Sequence, residues 1–394
     1  MSDPDARPLL VVIDDDPWDS FNQLATLARQ RGCRTLRVTT RATLVSRWPN
    51  RLLYDRGVIL RSWQDLVSLD DLAGDHRIVD LQCPERLLPI ASRLAASSTS
   101  VTTQARSRVE VRTAFADKLD AGRRLRGAGI PVPDQLPAGQ TTVQDAVLTL
   151  GLPLAVKPRL GDAGRGVVVA HALAELERAV AASSVEELLF EQHVEGASLS
   201  FCGVLADGEV LQDAALVRTS VDPLRLGLRG TFRTIDDERL FELGRAVAKA
   251  IGSSVLIDLD VVRDGHGRDV VVDVNLRAWH SMGLLRSAGV DFVDGYLYAI
   301  GVRPTPPSER RPRSGVDVRP SLRPPPLPGT GRRALTDMAW LLGASWRRLR
   351  TFGPRYLLAD LLALVSRRLQ RPKLRAPVDA VLSRSKESVG WARR

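Results

Sequence analysis

The chain is short of the residues that mark several function classes. Its 394 residues include three cysteines, Cys33, Cys83 and Cys202, far apart and without a CxxC pair. Neither a disulfide framework nor a structural zinc site is expected from them. Five scattered histidines form no HExxH. No run of 18 apolar residues occurs, so no segment is expected to span a bilayer. The opening MSDPDARP leads into only five apolar residues, which is no secretory signal. GxGxxG and GxxxxGK[ST] are both missing, so neither a dinucleotide fingerprint nor a Walker A loop is present. Together these absences predict a reduced, soluble, cytoplasmic protein. What remains is ordinary globular composition, 44% hydrophobic and 26% charged, which excludes a wholly disordered or collagen-like chain. The length predicts two or three domains.

Lysine is the scarcest charge. Of 56 basic residues only Lys118, Lys157, Lys249, Lys373 and Lys386 are lysine. High-GC codon bias accounts for the arginine excess but not for where the lysines remain, and a lysine is the more compact, flexible point charge. The net charge of +10 is also uneven. Residues 301–394 carry 21 basic and 6 acidic side chains, +15, which leaves −5 on residues 1–300.

Leu9–Ile13 reads as a short buried strand, followed by a helix ending at Gly32 and a second strand, CRTLRVTT. That opening predicts an open α/β domain over residues 1–112. Residues 113–130 read as one helix. LPLAVKPRLGDAGRGVVVAH reads as strand, glycine-rich loop and strand; ELLFEQHVEG as a strand running into a connector; and SLSFCGVLADGEVLQDAALVR as a hairpin around Asp207-Gly208. VLIDLDVVRDGHGRDVVVDVNLR is a strand pair turned at Asp264–Gly267. Nine of the 24 prolines fall between Pro304 and Pro328, which predicts a stiff linker over 304–330. A basic helical tail, 331–394, follows.

Two constellations carry chemistry. In AVKPRLGDAGRGVVV a strand delivers Lys157 beside a loop, Gly161–Gly166, whose glycines let backbone N–H groups turn inward. A lysine with an amide-lined loop suits a triphosphate. In the strand pair, Asp273 and Asn275 share a face, as do Asp258 and Asp260 across the turn. Pairing centred near Gly265–His266 puts Asp260 roughly opposite Asp273. Carboxylates and an amide oxygen at a strand end suit Mg²⁺ that also carries phosphates, and unpaired carboxylates in such apolar sequence would be costly.

These parts, ADKLDAGRRLRGAGIPVP, PLAVKPRLGDAGRGV, LLFEQHVEG and DLDVVRDGHGRDVVVDVNLR, resemble in order and spacing the successive nucleotide-site elements of the ATP-grasp superfamily. The later DVNLRAWHSMGLLRSAGVDFVDGYLYAIG looks most like predicted carboxylate–amine ligases of the D-aspartate ligase-like branch. The resemblance implies an α/β architecture: an N-terminal open α/β domain, then a two-subdomain ATP-grasp domain over 113–303 with a mobile hairpin subdomain at about 145–195. It implies ATP with Mg²⁺ (Mn²⁺ as a substitute), and an amide bond formed from small-molecule carboxylate and amine substrates through an acyl phosphate. Position by position it assigns Lys118, Lys157 and the loop glycines Gly161, Gly164 and Gly166 to the phosphates, and Glu191, Gln192 and Val194 to the adenine hinge. Asp260, Asp273 and Asn275 become metal ligands and Arg277 the catalytic arginine.

Three departures stand out. Ser198 occupies the place of a ribose-binding glutamate, Asp273 that of a glutamate ligand, and Asp258 that of an arginine; Asp258 is also the alternative to Asp260 as ligand. Trp279 and His280 are candidates for the substrate side, as is a basic loop holding Arg218, Arg225, Arg229 and Arg233. The competing reading is a non-catalytic or nucleic-acid-associated protein that keeps an ATP-grasp shell, although the tail carries no recognisable nucleic-acid module. In the tail, Leu357, Leu361, Leu364 and Leu369 lie near one helical face, with Leu358, Leu362 and Val365 beside them and arginines at the end. That pattern fits either a helix docked on the acidic core or peripheral contact with the inner face of an anionic membrane.

Overall fold

The computed structural model describes residues 7–15, 19–40, 49–162, 164–182, 184–219, 231–308, 310–318, 346 and 348–369. Three sheets organise them. The first is parallel, β3-β2-β1-β4, made of β1 (Pro8–Ile13), β2 (Arg34–Thr39), β3 (Arg56–Ile59) and β4 (Arg77–Gln82). Its strands are short apolar runs because helices cover both faces. These are α1 (Asp19–Gln30), α2 (Leu88–Ser97) and α3 (Thr103–Ala116). No dinucleotide glycines are needed for this packing, and the sequence has none.

The expected helix over 113–130 is two helices. Asp117 ends α3 and caps α4 (Lys118–Gly127), accepting from the amides of Leu119 and Asp120 at 3.0 and 3.3 Å. A carboxylate at an N-cap stabilises the new helix start, and the break turns Lys118 out of the helical stack.

A small antiparallel sheet, β5-β8-β6-β7, comes next. It consists of β5 (Gln135–Pro137), β6 (Leu154–Pro158), β7 (Val168–Ala170) and β8 (Leu188–Gln192), backed by α5 (Val143–Leu150) and α6 (Leu173–Ala181). It starts about ten residues earlier than the hairpin unit expected from sequence, because β5 pairs with β8. The large sheet has the order β13-β12-β9-β10-β11-β14. Its strands are β9 (Gly196–Ala206), β10 (Glu209–Arg218), β11 (Phe232–Ile235), β12 (Leu256–Asp264), β13 (Asp269–Asn275) and β14 (Asp317–Val318), with α7 (Glu238–Ile251) and α8 (Phe292–Ala299) packed against it. Both hairpins turn where the sequence placed them.

The proline-rich stretch is not wholly a free linker. Arg311 pairs with Asp213 at 2.8 Å, and Asp317–Val318 adds a strand to β11. Residues 319–330 lie outside the described residues.

The described part of the tail docks on the core. It includes α9 (Pro354–Leu369). Phe352, Tyr356 and Ala359 are buried in the cluster that holds Leu24 and Met282. Gly283 makes this possible, since a Cβ there would stand 2.5 Å from the Phe352 ring. Buried Arg348 lies 3.3 Å from Asp19 and 2.9 Å from Asp360, and the Tyr356 hydroxyl donates to Asp19. Burial alone would raise the Asp19 carboxyl, but Arg348 and His280 hold it down to about 2. The docked face is thus aromatic rather than the leucine stripe, for Leu358 and Leu361 are exposed. Leu364, Val365 and Leu369 have no described side chains. Removing residues 331–394 is expected to lower stability by about 4 kcal/mol, given about 1.5–3 kcal/mol for each large buried side chain lost. An unchanged melting temperature for the truncated chain would refute the docking.

Candidate active site

A cleft of about 260 Å³ lies between the small sheet and the β12–β13 hairpin. Segments far apart in sequence build it. Its wall contains Lys118 from α4, and Lys157, Gly161 and Gly164 from β6 and its loop. It also contains Glu191, Gln192 and Val194 from β8 and the connector, Ser198 from the start of β9, and Asp260 and Asp273 from the hairpin. Gly166, Asn275 and Arg277, grouped with these by sequence, are not part of that wall.

Lys118 is the first residue of α4, and its amide bonds Arg159 O at 3.0 Å, which fastens the helix start to the strand carrying Lys157. Its ammonium donates to Asp273 Oδ1 at 2.7 Å. Burial would lower the Lys118 pKa, but Asp273 more than offsets it and the net shift is upward. Lys157 Nζ lies 2.5 Å from Glu191 Oε1 and 3.3 Å from Val272 O. In the β6–β8 register Lys157 faces Leu189 and Ala155 faces Glu191, so the two side chains are diagonal neighbours on one face. Glu191 also accepts from Gln135 Nε2 at 2.8 Å. The resemblance implies a backbone role for Glu191 at the hinge; its buried carboxylate is in addition the counter-ion of Lys157.

Asp260 pairs with Asp273 across the hairpin, next to a register shift at Val261. Burial raises the Asp260 pKa and the Asp273 charge raises it further. Asp273 is half-buried; burial would raise its carboxyl, but Lys118 and Lys157 bring it below its ordinary value. Asp258 sits elsewhere: Cys202 Sγ donates to its Oδ1 at 3.2 Å. Burial, then Asp260, pushes its carboxyl up to about 7.

The glycine loop is held from the N-terminal sheet. Arg86 donates to Asp162 within the loop and to Asp15 just beyond β1, joining the loop to the carboxyl end of the parallel sheet. Gly164 and Gly166 adopt φ of +68° and +74°. A Cβ on Gly166 would also stand 2.9 Å from Pro158, so glycine is required there twice over. Arg277 is buried and fixed by Glu85 at 2.8 Å and by Asn275 Oδ1 at 3.1 Å.

Two expected substrate-side residues are elsewhere. Trp279 is core, edge-on to Phe292 with ring centroids 5.2 Å apart, and His280 lies near Asp19. Arg218 does line the cleft. Arg233 instead pairs with Asp317 at 2.8 Å, and Arg225 and Arg229 lie outside the described residues. No local sequence signal marks Glu85, Arg86 or Asp162, and His193 falls inside the expected hinge, Glu191–Val194, with no role of its own. His193 lines the cleft, and burial depresses its pKa.

A family model described as an ATP-grasp domain matches residues 115–281. This segment is an ATP-grasp domain. The match begins at the end of α3 and stops just after β13, so it takes in every residue named in the cleft wall. Solved structures agree in fold. Carboxyaminoimidazole ribonucleotide synthase from Aspergillus clavatus, complexed with ATP, is 14% identical; the alignment covers 78% of this chain and 80% of that one, with a TM-score of 0.62. L-amino acid ligase from Bacillus licheniformis is 18% identical over 75% and 74%, with a TM-score of 0.57. The biotin carboxylase domain of Hydrogenobacter thermophilus 2-oxoglutarate carboxylase, complexed with MgADP, ADP and bicarbonate, is 17% identical over 77% and 72%, with a TM-score of 0.58. Among curated proteins none matches in sequence. No helix among the described residues is long and apolar enough to cross a membrane.

Proposed function

We propose that the chain is an ATP- and Mg²⁺-dependent carboxylate–amine ligase that forms an amide bond through an acyl phosphate. One observation carries the reading: the ATP-grasp cleft gathers two of only five lysines, two facing carboxylates and a glycine loop from segments far apart in sequence. A shell retained without chemistry has no reason to keep these groups together, which weighs against the non-catalytic alternative.

The acidic pair fits Mg²⁺. Among the described residues no three His, Cys, Asp or Glu side chains form a closed cage, and Mg²⁺ typically takes one or two carboxylates together with substrate phosphates. Asp260 and Asp273 oppose each other in register, and their mutual repulsion raises Asp260, a strain that a dication relieves. They would hold the ion; Asn275 would join by sharing an oxygen now bonded to Arg277 Nη2. The packing of Asp258 against Cys202 supports Asp260 as the first ligand. When bound, the ion supplies charge neutralisation at the transferring phosphoryl group.

The protein's own groups orient and shield. Lys118 and Lys157 exchange their carboxylate partners for phosphate oxygens, adding fixed positive charge where negative charge accumulates. The hinge, Glu191–Val194, offers backbone to the base, and Ser198 stands where the ribose is expected. The loop from Gly161 to Gly166, held down through Asp162 and Arg86, keeps water from the reactive acyl group. Arg277, braced by Glu85, sits behind Asn275 as a source of positive charge next to the acidic pair. Arg218 is the candidate contact for an anionic substrate.

An ADP-release assay across pairs of amino acids and peptides tests the reading: release that requires both a carboxylate and an amine is the expected result. RNA binding without turnover would replace it with the shell reading. Asp273→Asn should shift the magnesium titration at least tenfold upward, since a neutral amide is a poorer ligand for a hard dication. An unchanged titration would remove Asp273 from the metal site.

A further inference from the structure

A second cavity, about 430 Å³, opens where α1 turns into β2 beneath the start of α9. It is remote from the cleft. Arg34 stands beside Leu9 at the amino end of the parallel sheet, whereas the sheet meets the glycine loop through Asp15, beyond the carboxyl end. Six-residue strands separate those ends by about 20 Å.

The wall is basic. Arg29, Arg34 and Arg355 face it with a single acid, Asp55. Arg29 Nε and Arg34 Nη1 lie 3.2 and 3.3 Å from the same Asp55 oxygen. The other oxygen already accepts from the amide and hydroxyl of Thr35. Arg29 and Arg34 share this engaged carboxylate and Arg355 adds a third guanidinium to the wall, leaving an excess of two positive charges. Arg355 belongs to the first turn of α9, whose earliest N–H groups have no partner within the helix and whose dipole favours an anion. A separate observation points the same way: Thr26, on this wall, is only 9% exposed, and its Oγ1 has no partner among the described residues. The rest of the wall includes apolar Cys33, Leu52 and Phe352.

We propose that this cavity binds a small organic anion, a phosphate or carboxylate on an apolar body, and that the bound anion ties the tail to the N-terminal sheet. The charged group is taken by Arg29, Arg34, Arg355 and the first turn of α9, and the body lies against Leu52 and Phe352. The cavity already joins both parts, since Gln30 Nε2 donates to Phe352 O at 3.2 Å. The same chemistry comes from a free metabolite or from the headgroup of an anionic phospholipid. The proposal does not depend on the ATP reading.

Pyrophosphate is the probe, titrated by calorimetry at constant ionic strength into the full chain carrying Lys157→Ala/Glu191→Gln, which removes the cleft lysine without stranding the buried Glu191 charge, so that the ATP cleft competes less for it. Binding is expected, weakened at least tenfold by Arg355→Ala and severalfold by Thr26→Val. Arg355 is exposed and its removal leaves the fold intact, which the ligand-free melting temperature checks. Sedimentation with phosphatidylglycerol vesicles forms the second arm. Arg355-dependent pyrophosphate binding supports a free anion, and Arg355-dependent vesicle binding alone supports a lipid headgroup. Binding of neither, or binding that Arg355→Ala leaves unchanged, overturns the proposal.

Discussion

Lys157→Ala is expected to lower nucleotide-dependent turnover by about a hundredfold or more, the usual scale for losing one positioned charge at a developing negative centre. It is also expected to destabilise the protein, because Glu191 is then left buried beside no cation. Glu191 is 2% exposed and lies 2.5 Å from the ammonium. Removing one partner of such a pair costs about 3–5 kcal/mol, more than the pair itself contributes. The two effects separate in Lys157→Ala/Glu191→Gln. The neutral amide keeps a bond to Gln135 and removes the stranded charge, so the melting temperature should largely recover while turnover stays lost. Recovery of turnover in the double variant would show that Lys157 serves only to neutralise Glu191. Turnover near the wild-type level in Lys157→Ala would remove it from the phosphate site. Lys157→Arg should rescue poorly, since a planar guanidinium does not replace a compact ammonium.

The parts legible in the sequence were those whose signals are local. The turn at Asp264–Gly267 fixes the register of its hairpin out to Val261 opposite Val271, which brings Asp260 and Asp273 within one residue of facing; the register shift at Val261, which counting does not show, sets them opposite. The break at Asp117 is not among the legible parts: an N-cap residue stands there, but helical periodicity on both sides conceals it. What the sequence did not show depends on strand order and distant contacts. Glu191 meets Lys157 because β8 lies beside β6, and Arg86 reaches Asp162 across 76 residues. Neither leaves a periodic trace. The docked face of α9 is a sharper case. Hydrophobicity favours its leucines, yet the face that docks is chosen by the gap at Gly283, about 70 residues before Phe352, and by the acid at Asp19, 337 residues before Tyr356.

Asp80→Asn should be the most destabilising conservative change in the N-terminal sheet. Asp80 is fully buried within β4, opposite Leu10. Arg112 Nη2 donates to it at 2.7 Å, Arg108 Nε lies at 3.5 Å, and the Tyr296 hydroxyl donates to it from α8. Arg112 also donates from Nε to Leu276 O at 2.9 Å. One carboxylate thus neutralises two buried guanidiniums and joins the N-terminal sheet to the segment that follows β13. An amide of the same shape leaves both cations uncompensated, at a cost of about 3–5 kcal/mol. In a chain of this size that lowers the melting temperature by about 5 °C. The pH dependence has a definite sign. Burial raises the Asp80 carboxyl, but Arg112 and Arg108 outweigh it and the folded pKa falls below the ordinary value. An acid so depressed stabilises the fold above its unfolded pKa, about 3.9, and that contribution disappears as pH falls through the folded value. The gap between wild type and Asp80→Asn should therefore be complete at pH 7 and narrow below pH 4. Chemical unfolding at the two pH values measures it. A gap under about 1 kcal/mol at pH 7, the scale of an exposed ion pair, would show that the two guanidiniums find compensation without Asp80.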